Sequence, residues 1–171
     1  TENAPLRTVR FPYRAQGGPS ADYDKIPVEE TVCGAGDPPA TVVRLPMVYG
    51  VGDGQHRFGD VVRRILDGRP AILLGATAAA WRCARVAVDD AAAAIVAAAT
   101  YPGAAGRVYL DAQPDAPTLA EWAALAGAAL GWTGRVVVRP DAACPEPCRR
   151  GPAVPQDIVH DTRRIRAELG Y

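Results

Sequence analysis

The run Thr41-Val42-Val43-Arg44-Leu45 stops at Pro46 and opens into Tyr49-Gly50-Val51-Gly52-Asp53. β-Branched residues packed this closely, between a Pro-Pro-Ala stretch and a glycine-rich one, predict a buried strand that ends in a turn. A strand of this kind belongs in a layered fold, and in an open α/β sheet ligands bind at the loop leaving the strand's carboxyl end. Arg44 to Asp53 are therefore expected to line a crevice. A core strand with an ordinary glycine turn accounts for the same residues.

The flanking segments supply helices and further strands. Residues 1–22 show neither period and read as an irregular start. A helix is expected from Asp24: this residue suits the cap, Pro27 suits the first turn, and Glu29 and Glu30 favour an N-terminus. An earlier start would put Pro27 in the interior at about 3 kcal/mol. Phe58, Val61, Val62, Ile65 and Leu66 fall at helical spacing, closed by Gly68 and Pro70. Residues 71–74 predict a short buried strand, 75–80 a small-residue loop, and 89–100 an alanine-rich helix capped by an aspartate. Residues 107–112 predict a strand. Thr118-Leu119-Ala120-Glu121 has the form of a capping box ahead of an amphipathic helix to Leu130. A last strand is expected at 135–139, a loop at 141–155, and a short final helix capped by Asp161. Strands alternating with helices argue for a mostly parallel α/β sheet with smaller C-terminal elements.

Charge narrows the partners. Basic and acidic residues number 19 each, so no net field favours nucleic acid or an anionic membrane. Lys25 is the only lysine in an arginine-rich chain. Cys33, Cys83, Cys144 and Cys148 are too scattered for a disulfide scaffold, and Cys144 with Cys148 lacks a second pair at zinc-ligand spacing. Free thiols and no metal are expected. No apolar run approaches the ~20 residues of a membrane span, and the first residues carry charge without an apolar core. A cytoplasmic location is expected.

Taken in order, DYDKIPVEETV, ATVVRLPMVYGVGD, VVRRILDGRPAILLG, WRCARVAVDDAAAAI, GRVYLDA, TLAEWAALAGAALGW and DTRRIRAELGY resemble the second half of an extended short-chain dehydrogenase/reductase. These are the NAD-dependent epimerase/dehydratase proteins, and the resemblance spans nearly the whole chain. It implies an α/β fold: the C-terminal half of a Rossmann-like parallel sheet plus a small α+β substrate-binding part. Residues 1–56 would close the Rossmann-like part and residues 57–171 would mix Rossmann and substrate-binding elements, within a single unit. The upstream cofactor-binding half would be absent. The family's glycine-rich turn for the cofactor pyrophosphate is not found, since Gly34, Gly36, Gly50, Gly52 and Gly54 neither follow a first strand nor open a helix. NAD or NADP is thus expected in an intact parent and no cofactor on this chain alone.

The family's active site uses Tyr-x-x-x-Lys, whose lysine steadies the phenolate and holds the nicotinamide ribose. Lys25 with Glu29 matches the family's Lys-x-x-x-Glu, but Ala21 stands where the tyrosine is expected. Tyr23, and more remotely Tyr13, are the substitutes. The resemblance makes Lys25 and Tyr23 catalytic candidates and Lys25, Pro46 and Tyr49 cofactor contacts. It makes Arg44, Tyr49, Arg82 and Arg85 substrate contacts, arginine being suited to phosphate oxygens. Arg44 serves equally well as the structural partner of an acid, and Lys25 and Tyr23 as solvated residues. Ala87 departs from the family, which commonly has an aromatic residue or histidine there. Arg149, Arg150, Arg163, Arg164 and Arg166 read as a solvated basic face.

The implied activity is hydride transfer on a sugar-like or small polar substrate, as the C-terminal portion of an epimerase, dehydratase or reductase. The alternative is a non-catalytic binding or assembly module. A sheet lacking its first strands exposes an apolar edge, so a homo-oligomer or a partner covering that edge is expected.

Overall fold

The computed structural model describes residues 1–149 and 156–170. Within them the chain is a mixed α/β protein whose strands pair in parallel, two at a time. It forms two compact units assembled from interleaved segments: residues 1–44, 92–111 and 161–171 in the first, residues 45–91 and 112–160 in the second.

In the first unit, α1 (Lys25–Gly34) starts where Asp24 caps it, the Asp24 carboxylate accepting from the Ile26 amide at 3.0 Å. The same carboxylate accepts from the Phe11 amide at 2.7 Å and pairs with Arg7, tying the irregular start to the helix. Burial pushes the Asp24 carboxyl up, but the Phe11 and Ile26 amides and the Arg7 guanidinium together outweigh it and hold the group at about 2. A depressed acid stabilises the fold above its unfolded value, about 3.9, and the contribution disappears as pH falls through the folded value. Melting temperature recorded between about pH 5 and pH 2 should therefore fall steeply for the wild type and less steeply for Asp24→Asn. Parallel curves would refute this role.

Strand β1 (Val42–Arg44) pairs in parallel with β5 (Val108–Leu110), Val42 opposite Val108. Helix α4 (Val88–Thr100) contributes Ala94, and α6 (Arg163–Leu169) contributes Ile165, to a core with Ala104 and Tyr109. The Arg107, Tyr109 and Asp111 positions of the β5 segment face β1, so Val108 and Leu110 turn their backbone groups to the outer edge. Side chains close that edge: Arg164 donates to the Val108 carbonyl at 3.1 Å, and Glu2 accepts from the Leu110 amide at 3.4 Å. Arg164 also lies 3.9 Å from Glu2, so it is part of an edge cap and not of a solvated basic face. Arg150 lies outside the described residues, as does the Arg149 side chain.

The second unit holds β2 (Met47–Tyr49) paired with β4 (Arg85–Ala87), and β3 (Ala71–Gly75) paired with β6 (Arg135–Arg139). Helices α2 (Gly59–Leu66) and α5 (Leu119–Ala129) supply Val61, Ile65 and Ala123 to a core around Ile72. The predicted capping box is present, Thr118 and Glu121 each accepting from the other's backbone amide.

Several expectations are corrected. The sequence predicts a turn directly after Pro46, whereas β2 intervenes. Pro46 lacks an N–H and ends β1, and the apolar Met47-Val48-Tyr49 then pairs anew with β4. The expected loop over residues 75–80 contains a short helix, α3 (Ala76–Ala80), in keeping with the helix propensity of alanine and the burial of Ala78 and Ala79. Helix α4 begins at Val88, which puts Asp89 and Asp90 in its first turn and not at its cap. Thr162 holds the cap position of α6, although Asp161 still accepts from the Arg163 amide at 3.1 Å.

Candidate functional site

In the second unit the segment after β2 is organised by Asp53. Its carboxylate accepts from the amides of Gln55 and Arg57 and from the Arg57 guanidinium, at 2.8 to 3.0 Å. The Arg57 amide does most to hold the Asp53 carboxyl below its usual range, against the opposing effect of burial. Arg57 also donates to the Val48 carbonyl at 2.7 Å, fixing the loop to the end of β2. Gly50 has φ of 134°, and a Cβ there would meet Val88 Cγ1 at 2.8 Å, so glycine is required for this close approach. The loop encloses about 250 Å³ lined by Tyr49, Gly50, Gly52, Asp53, Arg57 and Val88.

Beside it, Tyr49 meets Phe58 edge-on at 5.0 Å and Trp122 at 5.9 Å between centroids. Arg85, on β4, is 5 % exposed and lays its guanidinium 5.1 Å from the Phe58 ring and 5.2 Å from the Trp122 ring. Burial lowers its pKa, yet an arginine stays protonated at neutral pH. Gln113 donates from its amide N–H to the Arg85 carbonyl at 2.8 Å and from Nε2 to the Tyr49 hydroxyl at 3.0 Å. The sequence assigns Phe58 and Trp122 only to apolar helix faces and gives Gln113 no role. The available signal was a charged residue alone in the apolar Cys83–Val88 run.

Arg82 lies elsewhere on this unit. It is exposed, its amide donates to Asp157 at 2.9 Å, and with Asp115, Pro117, Glu121 and Leu125 it lines a cleft of about 560 Å³. Pro46 lies in the two-residue connection between β1 and β2.

The remaining candidates belong to the first unit. Lys25 Nζ sits 5.0 Å from the centroid of the Tyr23 ring, over its face, and Tyr23 is 52 % exposed. Tyr13 stacks at a tilt on Tyr23, 6.3 Å between centroids. Arg44 is held in a fork by Glu29, at 2.9 Å and 3.2 Å from Nε and 2.7 Å from the terminal nitrogen. Its guanidinium thus has the structural acid partner that the sequence left open, and that partner is the glutamate of the Lys-x-x-x-Glu match.

Among the described residues no cluster of three His, Cys, Asp or Glu side chains is placed to hold a metal ion, and Cys33, Cys83 and Cys148 are free thiols. No helix among them is long and apolar enough to cross a membrane. Among the described residues, the two helices that directly follow a strand offer a poor cradle for the pyrophosphate of a dinucleotide. The helix that directly follows β4 carries Asp89 and Asp90 in its first turn, where like charge opposes a phosphate. The helix that directly follows β3 is only five residues long.

No protein-family model matches the sequence, and no curated protein matches it. Solved structures do match. A UDP-glucose 4-epimerase from Thermotoga maritima, solved with UDP-glucose, superposes with a TM-score of 0.63 at 20 % identity, over 88 % of this chain and 46 % of its own. A dTDP-glucose 4,6-dehydratase from Bacillus anthracis, solved with NAD, gives 0.61 at 20 % identity, over 100 % of this chain and 49 % of its own. The corresponding dehydratase from Streptomyces venezuelae gives 0.59 at 20 % identity, over 89 % and 44 %. The chain spans under half the length of each of these proteins. Its fold is that of the NAD-dependent epimerases and dehydratases over that portion.

Proposed function

We infer that the chain is the substrate-side, C-terminal portion of an NAD(P)-dependent epimerase, dehydratase or reductase that acts by hydride transfer on a sugar-like or small polar substrate. The observation that carries this reading is the joint one of fold and loop. The fold matches those enzymes over 75 to 100 % of this chain, and the segment after β2 forms a walled, glycine-dependent loop beside Tyr49 and Arg85. Tyr49, Arg85 and Arg82 are its substrate-side residues, and Lys25, Tyr23 and Pro46 are those offered to the nicotinamide end of the cofactor. When bound, the cofactor supplies the hydride acceptor. Lys25, the exposed first residue of α1, contributes a cation, and Tyr23, exposed just ahead of the Asp24 cap, a hydroxyl.

NAD(H) titration followed by fluorescence tests the reading. The 171-residue chain is expected not to bind at micromolar concentration, and the protein extended by its upstream coding sequence is expected to bind and to lose turnover on Lys25→Met. Tight binding by the chain alone, or none by the extended protein, would overturn it. A non-catalytic module is favoured by one specific feature: Ala21 occupies the tyrosine position, and the Tyr23 ring face is engaged by Lys25.

An edge of the sheet supports an assembly role as well. Among the described residues β1 pairs with β5 alone, which leaves the Val43 backbone groups facing an edge with no described strand. A cleft of about 470 Å³ lined by Thr41, Val43, Ile95, Ala98, Tyr101 and Pro102 adjoins it. A second copy or another chain covering this edge is the expected consequence. Light scattering at rising concentration should report self-association that Val43→Lys diminishes. A wild type that remains monomeric throughout would count against a second copy.

A further inference from the structure

The two outer edges of the β1–β5 sheet are treated differently. Among the described residues the edge of β1 offers the Val43 amide and carbonyl to no strand. On the edge of β5, Arg164 donates to the Val108 carbonyl at 3.1 Å and the Glu2 carboxylate accepts from the Leu110 amide at 3.4 Å. Glu2 is the one residue of the first ten that is not exposed, and its side chain keeps 6 % of its accessible surface. Arg164 stands 3.9 Å from it and also donates to the Asn3 side chain at 3.4 Å. All of these residues belong to the first unit.

The two covered groups are the pair that a further parallel strand would use. In a parallel ladder the bonds of one residue slant to the groups on either side of the residue opposite. Within the unit, Val42 stands opposite Val108 and donates to the Arg107 carbonyl. The same pattern one residue on sets Val43 of another copy opposite Tyr109. Its amide then donates to the Val108 carbonyl, and its carbonyl accepts from the Leu110 amide. The free edge of β1 thus carries the complement of what Arg164 and Glu2 cover on β5. A contact of β1 on β5 between copies joins unlike surfaces, and when the rotation does not close it grows without limit.

We propose that Glu2 and Arg164 form a stop against head-to-tail extension of the sheet from one copy to the next, and so limit self-association to a closed pair. The proposal rests on the reading that a second copy covers the β1 edge. With β5 capped, a β1 edge meets only another β1 edge, Val43 answering Val43 across a two-fold axis, and no open edge of the sheet remains. Arg164 supplies the donor and Glu2 the acceptor that a strand would supply, and their opposite charges hold each other in place. An arriving strand meets charged side chains where it needs backbone groups, which is how native edges are blunted.

Light scattering and sedimentation of the full chain over rising concentration test the stop. The wild type should level off at about twice the chain mass, whereas Glu2→Ala and Arg164→Ala should pass about four times that mass without a plateau. Glu2→Gln keeps a carbonyl oxygen for the Leu110 amide and should level off with the wild type. Val43→Lys added to Glu2→Ala should abolish the growth, because the arriving edge then carries a charge. Glu2→Ala levelling off beside a dimeric wild type would overturn the stop and leave the pairing at β1 standing. Growth that survives Val43→Lys would sink it as well, since something other than the β1 edge would then be arriving at β5. If the wild type is monomeric and Glu2→Ala grows in a Val43-dependent way, the pairing fails and the stop holds. If both stay monomeric, both ideas fail. Far-ultraviolet circular dichroism checks that each variant is folded, and if Arg164→Ala is not, the contrast between Glu2→Ala and Glu2→Gln decides alone.

Discussion

Tyr109→Ala is expected to destabilise the chain by about 3–5 kcal/mol, the range for removing a large buried aromatic side chain. Tyr109 is fully buried, at the centre of the core formed with Ala94, Ala104 and Ile165, and Leu169 packs on that cluster. Denaturant midpoint and calorimetry on the purified variant check the figure, and a loss below about 1 kcal/mol would mean that the cavity collapses at little cost. Tyr109→Phe separates packing from polarity. It removes only the hydroxyl that donates to Glu168 at 2.9 Å, and a loss of about 1 kcal/mol is expected because water can reach the partly exposed carboxylate. Burial, helped by the Glu168 hydrogen bond, pushes the Tyr109 hydroxyl up to about 12. The unfolded tyrosine releases its proton near 10, so stability is complete below about pH 10 and falls as pH rises towards about 12. Tyr109→Phe should lack that component of the alkaline decline.

Gly134→Ala and Gly127→Ala form the second large prediction. Trp132 donates its indole N–H to the Arg69 carbonyl at 2.7 Å, which fixes the ring. A Cβ on Gly134 would stand 2.2 Å from Trp132 Cζ2, and one on Gly127 would stand 2.6 Å from Trp132 Cε3. The ring is thus flanked by two positions that admit no side chain, and it also packs against the Ile72 core. Neither substitution fits unless the indole moves and gives up its bond. Overpacking of this kind costs about 1–3 kcal/mol, and the double variant should cost less than the sum, because one displacement of the ring relieves both clashes. Near-ultraviolet circular dichroism follows the indole while stability is measured. An unchanged tryptophan signal at unchanged stability would contradict the account.

The elements that the sequence discloses are those whose signals are local. Asp24 ahead of Pro27, and Thr118 ahead of Glu121, disclose their helices because a cap and its amide lie within a few residues. Ile65 discloses its core position through the helical spacing of residues 58–66, whereas the buried Ala123 of α5 was not singled out by that spacing. The strand at Met47–Tyr49 is hidden because Pro46 and the following glycines read as a turn, and only pairing with β4, distant in sequence, makes it a strand. The α3 helix is hidden for a similar reason, since small residues after a glycine suit a loop until Ala78 and Ala79 are buried. At the candidate site, Tyr49 and Arg85 are legible as residue types in a recognisable order. What surrounds Arg85 is not, because Phe58, Gln113 and Trp122 come from separate segments that only the tertiary fold gathers. Arg44 was legible as an arginine at a strand end, and Glu29 as an acid on a helix. Their mutual engagement is a long-range fact.

The closure of the β5 edge by Glu2 and Arg164 bears on how the protein is made. The two residues stand at opposite ends of the chain, and the segments of the first unit come from its beginning, middle and end. During synthesis Val108 and Leu110 leave the ribosome long before Arg164, at a pace of about 5–20 residues per second. For that interval the outer edge of β5 lacks its arginine, and the strand is open to pairing with neighbouring nascent chains. The last step in assembling the first unit therefore waits for Arg164, and the outer edge of β5 stays open until then.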